Sequence, residues 1–327
     1  MRPFILACAL AASRPAGAWS IDTSVTYGCH ERWSQDALDA AGYAADPPAL
    51  GDDRLLFESV DFDTSYLDRN IYALSLALGA RSVDVGGVAC TDLARLVGVQ
   101  NDPDAQDMHC ERSRVQDGEE GDAAAAESCR EALRREALIA FEAAGPDERE
   151  DVTVNLLYQG SRQVPLSRFY FHMGRALHVL EDSFAHCFRT ADRMGIVEVT
   201  NWIDDVSGRL DPDRDGPAHI DASDECRCNR PWGQPTYDAA VEASRELLAL
   251  AYAPAGREAV LEAFLEEWMS HVPGCTASNG YCASPDPEDL AGDPCPGCDC
   301  SQSGSGPGSG AIALAVLLLV LARRRAW

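Results

Sequence analysis

Two histidines and one aspartate within residues 178–186 have the spacing of a metal site. His178, Asp182 and His186 follow one another at steps of four residues. At 3.6 residues per helical turn, side chains with this spacing lie on one face of an α-helix. Zinc binds such nitrogen and oxygen ligands at about 2.0–2.2 Å. The pattern predicts a zinc site on one helix, and the alternative is a polar stripe that ends in a solvated histidine.

The remaining histidines fall into two classes by sequence context. Three of them open a helix or lie in Asp-rich segments, and we expect these to join the metal site: His30, His109 and His219. His172 lies six residues before His178, so it points to the opposite side of that helix. His271 ends an ordinary amphipathic helix. Both are predicted to be structural or solvent-facing.

Helices must position these residues, because apolar periodicity is helical almost throughout and strand signals are scarce. The predicted fold class is all-α, a single multi-helix domain with long polar loops. Two of these loops, residues 101–122 and 208–235, are rich in Asp, Gly and Pro and carry His109 and His219. The predicted helices span residues 34–41, 67–78, 123–143, 166–187, 237–250 and 257–271.

The amino terminus has the features of a signal peptide, predicted as residues 1–18. Arg2 precedes an apolar run over residues 4–12, and Ala16-Gly17-Ala18 matches the small-x-small pattern of a cleavage site. Cleavage would leave Trp19 first, whereas the alternative is a buried first helix. The chain has 13 cysteines, which fits an oxidising compartment. Cys275 and Cys282 are close enough to close a local loop, and the other pairings stay open.

The carboxyl end predicts retention at the cell envelope. A helical domain over residues 19–274 is followed by a Cys-rich and Ser/Gly-rich linker, 275–310, and by a hydrophobic tail, 311–327, with the cluster Arg323-Arg324-Arg325. The apolar run is shorter than the roughly 20 residues that span a bilayer. It resembles the sorting tails of myxobacterial surface proteins, which implies an exported protein at the cell surface or secreted. A stop-transfer anchor in the envelope membrane is the alternative.

The formal charge of −26 disfavours partners that are themselves anionic. Nucleic acid binding relies on neutralising phosphates with Lys and Arg, so we expect no stable nucleic-acid partner. Bound divalent cations would reverse the sign locally.

Taken in order, these residues resemble the zinc-dependent phospholipase C and S1/P1 nuclease superfamily over about residues 19–250. Its members begin, after signal removal, with a tryptophan whose amino group and carbonyl bind zinc, and Ala18-Trp19 is similar to that start. His30, eleven residues after Trp19, stands where the family has its next ligand. The family's HxxxD helix is matched by His178 and Asp182.

The resemblance implies a complete set of metal ligands. They are Trp19, His30, Asp84, His109, His178, Asp182, His186, His219 and Asp224. The rivals of Asp84 are Asp61, Asp63 and Asp68, and the alternative to Asp224 is Asp221. The step from Asp182 to His186 is shorter than in the archetypal enzymes and resembles a branch with the pattern HxxxDxxxH. The interval from Asp84 to His109 is longer than usual.

The family holds three zinc ions, so the resemblance implies three Zn²⁺ with Asp182 bridging two of them. Trp19 and His30 would complete one ion. The second would take Asp84, His109 and His178, and the third His186, His219 and Asp224.

The implied reaction is phosphodiester hydrolysis by in-line attack of water, whose pKa zinc lowers toward about 7. Asp84 would act as general base. The leading substrate is a phospholipid, as in phospholipase C. The alternatives are a single-strand nuclease of the S1/P1 type, with Trp202 and Trp232 as candidates for stacking bases, and a non-catalytic zinc-stabilised surface protein.

Overall fold

The computed structural model describes residues 29–89, 92–219, 233–253 and 255–286. It is mostly helical, as predicted, with 56% of residues in helices and 11% in strands. The described residues form ten α-helices: α1 Cys29–Ala41, α2 Arg54–Phe57, α3 Ile71–Val85, α4 Leu93–Gln100, α5 Gly118–Glu142, α6 Arg168–Ala185, α7 Trp202–Val206, α8 Pro212–Asp215, α9 Gly233–Ala251 and α10 Arg257–Trp268. Among these, no helix combines the length and apolarity needed to cross a bilayer.

Two small antiparallel sheets correct the all-α prediction. The first pairs β1 Arg149–Leu156 with β2 Gly160–Ser167, and the second pairs β3 Cys187–Arg189 with β4 Ile196–Val199. Val152, Val154 and Leu156 alternate with polar residues along β1, which is the period of a half-buried strand. The predicted helix over residues 166–187 is therefore too long at both ends, because its first residues belong to β2 and Cys187 begins β3.

Helix α6 is buried around nearly its whole circumference by the other described elements. Its N-cap is Ser167, whose side chain accepts a hydrogen bond from the backbone N–H of Tyr170. It packs most extensively against α3 and α5 and also contacts α1 and α9. Two of these helices bring candidate residues to α6, since α1 carries His30 and α3 carries Asp84.

Two glycines allow α3 and α6 to approach each other closely. A Cβ atom at Gly174 would lie 2.0 Å from the carbonyl oxygen of Leu76, and one at Gly79 would lie 2.0 Å from that of Phe171. Neither position has room for a side chain. The close approach sets the distance between Asp84, near the end of α3, and the polar face of α6.

Three features of the remaining chain differ from expectation or fall beyond it. The predicted helix over residues 257–271 ends at Trp268, so His271 lies beyond it. Part of the predicted linker is packed, since Cys275 contacts Phe188 and Val197 and Asp286 accepts a hydrogen bond from the Arg189 amide at 2.7 Å. The predicted signal peptide and sorting tail lie outside the described residues.

Disulfide bonds are present among the described residues, as the number of cysteines predicts. Cys275–Cys282 forms the predicted local loop, and Cys110–Cys129 joins a segment just before α5 to that helix. Such bonds point weakly to an extracellular location.

Candidate metal centre

The polar face of α6 carries the central residues of the site. His178 and Asp182 lie one helical turn apart, and His186 is the residue that caps the helix end. All three side chains are fully buried. Helical periodicity therefore brings these three predicted residues together, as their spacing indicated.

Asp182 has its two carboxylate oxygens directed at different imidazoles. Oδ2 lies 2.9 Å from Nε2 of His178 and 3.2 Å from Nδ1 of His109. Oδ1 lies 3.0 Å from Nε2 of His30 and 4.0 Å from Nδ1 of His186. One carboxylate thus stands between two sets of nitrogen ligands.

Asp84 closes the side of the cluster that faces α3. Its Oδ1 lies 3.9 Å from Nε2 of His178 and 4.0 Å from Nδ1 of His109. The Gln100 side-chain amide, from the end of α4, donates to the same oxygen at 3.1 Å. Two candidate metal-binding groups share His178. One contains His30, Asp84 and His178, and the other contains His109, His178 and Asp182. Within each group the ligand atoms lie within 4.8 Å of one another.

A third group contains a residue that the sequence did not predict. Glu111 lies with its Oε1 3.5 Å from Nδ1 of His186 and 3.6 Å from Nε2 of His219. Its other oxygen accepts a hydrogen bond from the Trp202 amide at 2.9 Å. The available signal was its position two residues after His109. The acidic candidates Asp224 and Asp221, like Trp19, lie outside the described residues.

Hydrogen bonds behind the ligands fix the orientation of two imidazoles. Glu181 Oε2 accepts from Nδ1 of His30 at 2.8 Å, and the Ser34 hydroxyl donates to Oε1 of the same fully buried carboxylate at 3.3 Å. Nδ1 of His186 donates to the backbone carbonyl of His109 at 2.7 Å. A hydrogen bond of this kind selects the tautomer and leaves the other ring nitrogen to act as a ligand.

Without metal, electrostatics favour the protonation state of a metal ligand at Asp182 and His178 but not at every group. Burial lowers the pKa of His30 and His109, but nearby carboxylates, Asp182 foremost, outweigh it and raise both. Burial opposes ionisation of Asp182, but the His178, His186 and His30 imidazoles outweigh it and hold the pKa of this carboxyl well below its usual range. Burial lowers the pKa of His178 to about 3, so this imidazole is neutral. Burial also raises the pKa of Asp84 to about 7, against the attraction of His30 and His109.

The cluster has the chemistry of a cation site. Among the described residues, neither ring nitrogen of His178 nor Oδ1 of Asp182 has a hydrogen-bond partner of acceptable geometry, although each is buried. Burying polar atoms without such partners is unfavourable. A cation coordinated by these lone pairs would offset that cost, and mixed imidazole and carboxylate ligands suit zinc and similar divalent metals. The three groups can therefore hold metal ions.

The residues predicted to stay outside the site do so. His172 contacts Glu136 at 2.7 Å and Glu150 at 3.0 Å, and His271 contacts Asp122 at 2.6 Å. The three rivals of Asp84 also lie outside the groups described above. Asp61 contacts Arg81 and Asn155. Asp63 accepts a hydrogen bond from the Ser65 amide, and Asp68 accepts one from the Tyr43 hydroxyl.

Comparisons with known proteins leave the family open: no family model matches the chain, and neither a curated protein nor a solved structure matches it significantly.

Proposed function

We propose that this chain is a zinc-dependent phosphodiester hydrolase of the phospholipase C type. The observation that carries the proposal is the Asp182 carboxylate, whose two oxygens face His178 with His109 on one side and His30 on the other. A bridging carboxylate between two ions is the arrangement that the resemblance implies. Imidazole and carboxylate ligands from several elements around one such bridge favour a multinuclear zinc site over a single structural ion.

In this proposal the candidate ligands divide among three ions. Asp182 would bridge the first two, with His30 on one and Asp84, His109 and His178 on the other. Trp19, which lies outside the described residues and would be the first residue after signal removal, would join His30. Glu111 would join His186 and His219 on the third. In this proposal Glu111 replaces Asp224, because ligand atoms of Glu111, His186 and His219 all lie within 4.8 Å of one another, whereas Asp224 lies outside the described residues.

The chain's own residues then have defined roles in hydrolysis. Zinc bound here would make water nucleophilic at neutral pH and would neutralise charge on the phosphate. Asp84 accepts the proton of the attacking water at its carboxylate, while the Gln100 amide holds that carboxylate in place. Water oxygen bonds to phosphorus as the ester P–O bond breaks, and the proton that Asp84 accepted passes to the leaving alkoxide, which yields a phosphomonoester and an alcohol.

Phospholipid is the substrate class that we favour over single-stranded nucleic acid. A nuclease of this type needs exposed aromatic side chains near the metals to stack bases. Trp202 lies beside the site but is only 7% exposed, packs edge-on against His219 and donates its indole N–H to Asn101 at 2.7 Å. Trp202 is therefore buried in the protein and is not exposed for stacking on a base. Trp232 lies outside the described residues. The net charge of −26 also opposes nucleic acid.

The proposed setting is outside the cytoplasm. The Cys110–Cys129 and Cys275–Cys282 disulfides fit an oxidising compartment. We propose export by the amino-terminal segment and retention at the cell envelope by the carboxyl-terminal tail, with the protein at the surface or released.

The decisive experiment uses protein that begins at Trp19, assayed for zinc content and then on a phosphorylcholine ester and on single-stranded DNA, with and without chelator. Chelator-sensitive cleavage of the ester supports the proposal, and cleavage of DNA alone points to the nuclease. Bound zinc with no turnover indicates the non-catalytic surface protein. Absence of zinc overturns the proposal. The matched variant Asp182→Asn should lose zinc and activity, whereas His172→Asn should keep both.

The role of the terminal amine has its own test. Adding one residue before Trp19 should lower zinc content and activity, because it displaces the amine that would bind the metal. An extended protein that keeps full zinc and activity would remove Trp19 from the ligand set.

A further inference from the structure

The Cys110–Cys129 disulfide lies directly beside the metal centre. Cys110 stands between His109 and Glu111 in the chain, and Cys129 lies in α5. Both cysteines are fully buried. The bond therefore fastens a short segment that carries two candidate ligands to one of the helices that pack against α6.

This segment, residues 109–111, reaches two of the three metal-binding groups. The His109 side chain lies 3.2 Å from Asp182, and the Glu111 carboxylate lies near His186 and His219. The backbone carbonyl of His109 also accepts the hydrogen bond that orients His186. A displacement of this segment would disturb ligands of both groups at once.

The backbone of this segment is in a conformation that needs support. Cys110 has φ 50°, in the left-handed region that residues other than glycine rarely adopt. On its carboxyl side the chain is held by the Arg112 amide, which donates to Thr200 at 2.9 Å. At Cys110 itself the covalent link to α5 opposes relaxation of the backbone toward a commoner conformation.

We propose that the Cys110–Cys129 disulfide is the positioning element for His109 and Glu111, so that the metal centre is completed only when this bond is closed. The inference rests on the proposed zinc site but not on catalysis. Its consequence is an order of assembly: the disulfide forms in the oxidising compartment, and tight zinc binding follows.

The first test compares two variants that each lack one disulfide. Cys110→Ala/Cys129→Ala should bind zinc at least about tenfold more weakly than wild type, the loss that follows when ligand orientation is disturbed. Cys275→Ala/Cys282→Ala is the matched control, because neither of its cysteines adjoins a residue of the three groups. Its zinc affinity should equal that of wild type. Competition against a chromogenic chelator measures both, and circular dichroism checks folding.

The visible spectrum of the cobalt-loaded proteins gives a readout that a general loss of stability would not move. Cobalt bands that change in the Cys110→Ala/Cys129→Ala variant and stay unchanged in the control indicate altered ligand geometry. Equal zinc affinity and equal cobalt spectra in both variants would overturn the proposal.

A second test uses the unmodified protein, so it does not depend on a variant that folds. If the disulfide favours zinc binding, then zinc must favour the closed disulfide to the same degree. A glutathione redox buffer reduces a disulfide to two thiols reversibly, as two glutathione thiols are oxidised to one glutathione disulfide. Bound zinc should shift the reduction of Cys110–Cys129, mapped by alkylation and mass spectrometry, to a higher ratio of reduced to oxidised glutathione and should leave Cys275–Cys282 unchanged.

The outcomes separate this proposal from the proposed function. Equal reduction of Cys110–Cys129 with and without zinc, in a wild-type protein that binds zinc, overturns the positioning role alone. A wild-type protein that binds no zinc overturns the metal centre itself. A zinc-binding protein without hydrolytic activity leaves the positioning role intact.

Discussion

Replacing Glu181 with glutamine should weaken zinc binding although Glu181 is not itself a candidate ligand. Its Oε2 accepts the hydrogen bond from Nδ1 of His30 at 2.8 Å, inside a fully buried environment. Glutamine keeps the size and one carbonyl acceptor but removes the negative charge, which Glu181 carries above its pKa; burial raises this pKa to about 7, so zinc affinity is compared at pH 8. The variant therefore tests the orientation and basicity of His30 with little change in packing.

The expected size of the effect follows from this hydrogen bond. A hydrogen bond to a charged group contributes about 1.5–3 kcal/mol, and a neutral one contributes about half of that. The difference, about 0.75–1.5 kcal/mol, corresponds to a zinc affinity about four- to twelvefold lower. The upper end of this range meets the roughly 10–100-fold losses seen when partners of metal-binding histidines are changed.

Glu136 provides a matched control for this prediction. It is also a buried glutamate that accepts from a histidine Nδ1, that of His172, at 2.7 Å, but His172 belongs to none of the three groups. Glu136→Gln should lower stability and leave zinc affinity unchanged in a chelator competition assay. Zinc affinity of Glu181→Gln equal to that of wild type would refute the reasoning, and so would an equal loss in both variants.

Three further variants test other parts of the structure. Glu111→Gln should lower the zinc content by one ion per chain, measured by elemental analysis, because Glu111 is the carboxylate that the described residues contribute to the third group; an unchanged content would assign that role to Asp224. Gly174→Ala should lower the free energy of unfolding by about 2 kcal/mol or more in a denaturant titration, because its Cβ would lie 2.0 Å from the Leu76 carbonyl oxygen; unchanged stability would show that α3 and α6 can separate at no cost. Burial and Asp122 raise the pKa of Glu198 to about 7, so the folded state binds this proton more tightly than the unfolded state. The stability of zinc-free protein should therefore fall as pH rises from about 4.5 to 7. Glu198→Gln should reduce the slope of stability against pH.

Much of the helical scaffold could be predicted because its periodicity is local. The six predicted helices all occur, although α6 is shorter than expected and α10 ends before His271. The β1–β2 hairpin was missed because its apolar alternation is short and lies among charged residues. Its position also depends on tertiary packing, since Gly87, with φ 69°, comes close to the Thr153 carbonyl.

The candidate site also contains some residues that local spacing predicts and others whose placement depends on tertiary packing. His178 and Asp182 lie together because helix geometry alone puts residues four apart on one face. Asp84 could be chosen from several aspartates only by the resemblance, and the structure places it 3.9 Å from His178. The local signal for Glu111 is only its position two residues after His109, because its placement depends on a disulfide and on contacts with residues far along the chain.

The contact of Glu181 with His30 could not be predicted from helical spacing, for a related physical reason. Glu181 precedes Asp182 directly, and neighbouring residues on a helix point about 100° apart, so a search along one helical face excludes it. His30, brought by α1, lies between the two side chains: Nδ1 is 2.8 Å from Glu181 and Nε2 is 3.0 Å from Asp182. Glu181 and Asp182 point in different directions from α6, and α1 packs between these directions. The His30 ring can therefore contact one carboxylate with each of its nitrogens. Ligand identity is thus encoded by local spacing in α6, whereas ligand orientation is encoded by packing between elements. Variants at Glu181 and Cys110 should therefore reduce metal affinity although every candidate ligand residue is retained in the sequence.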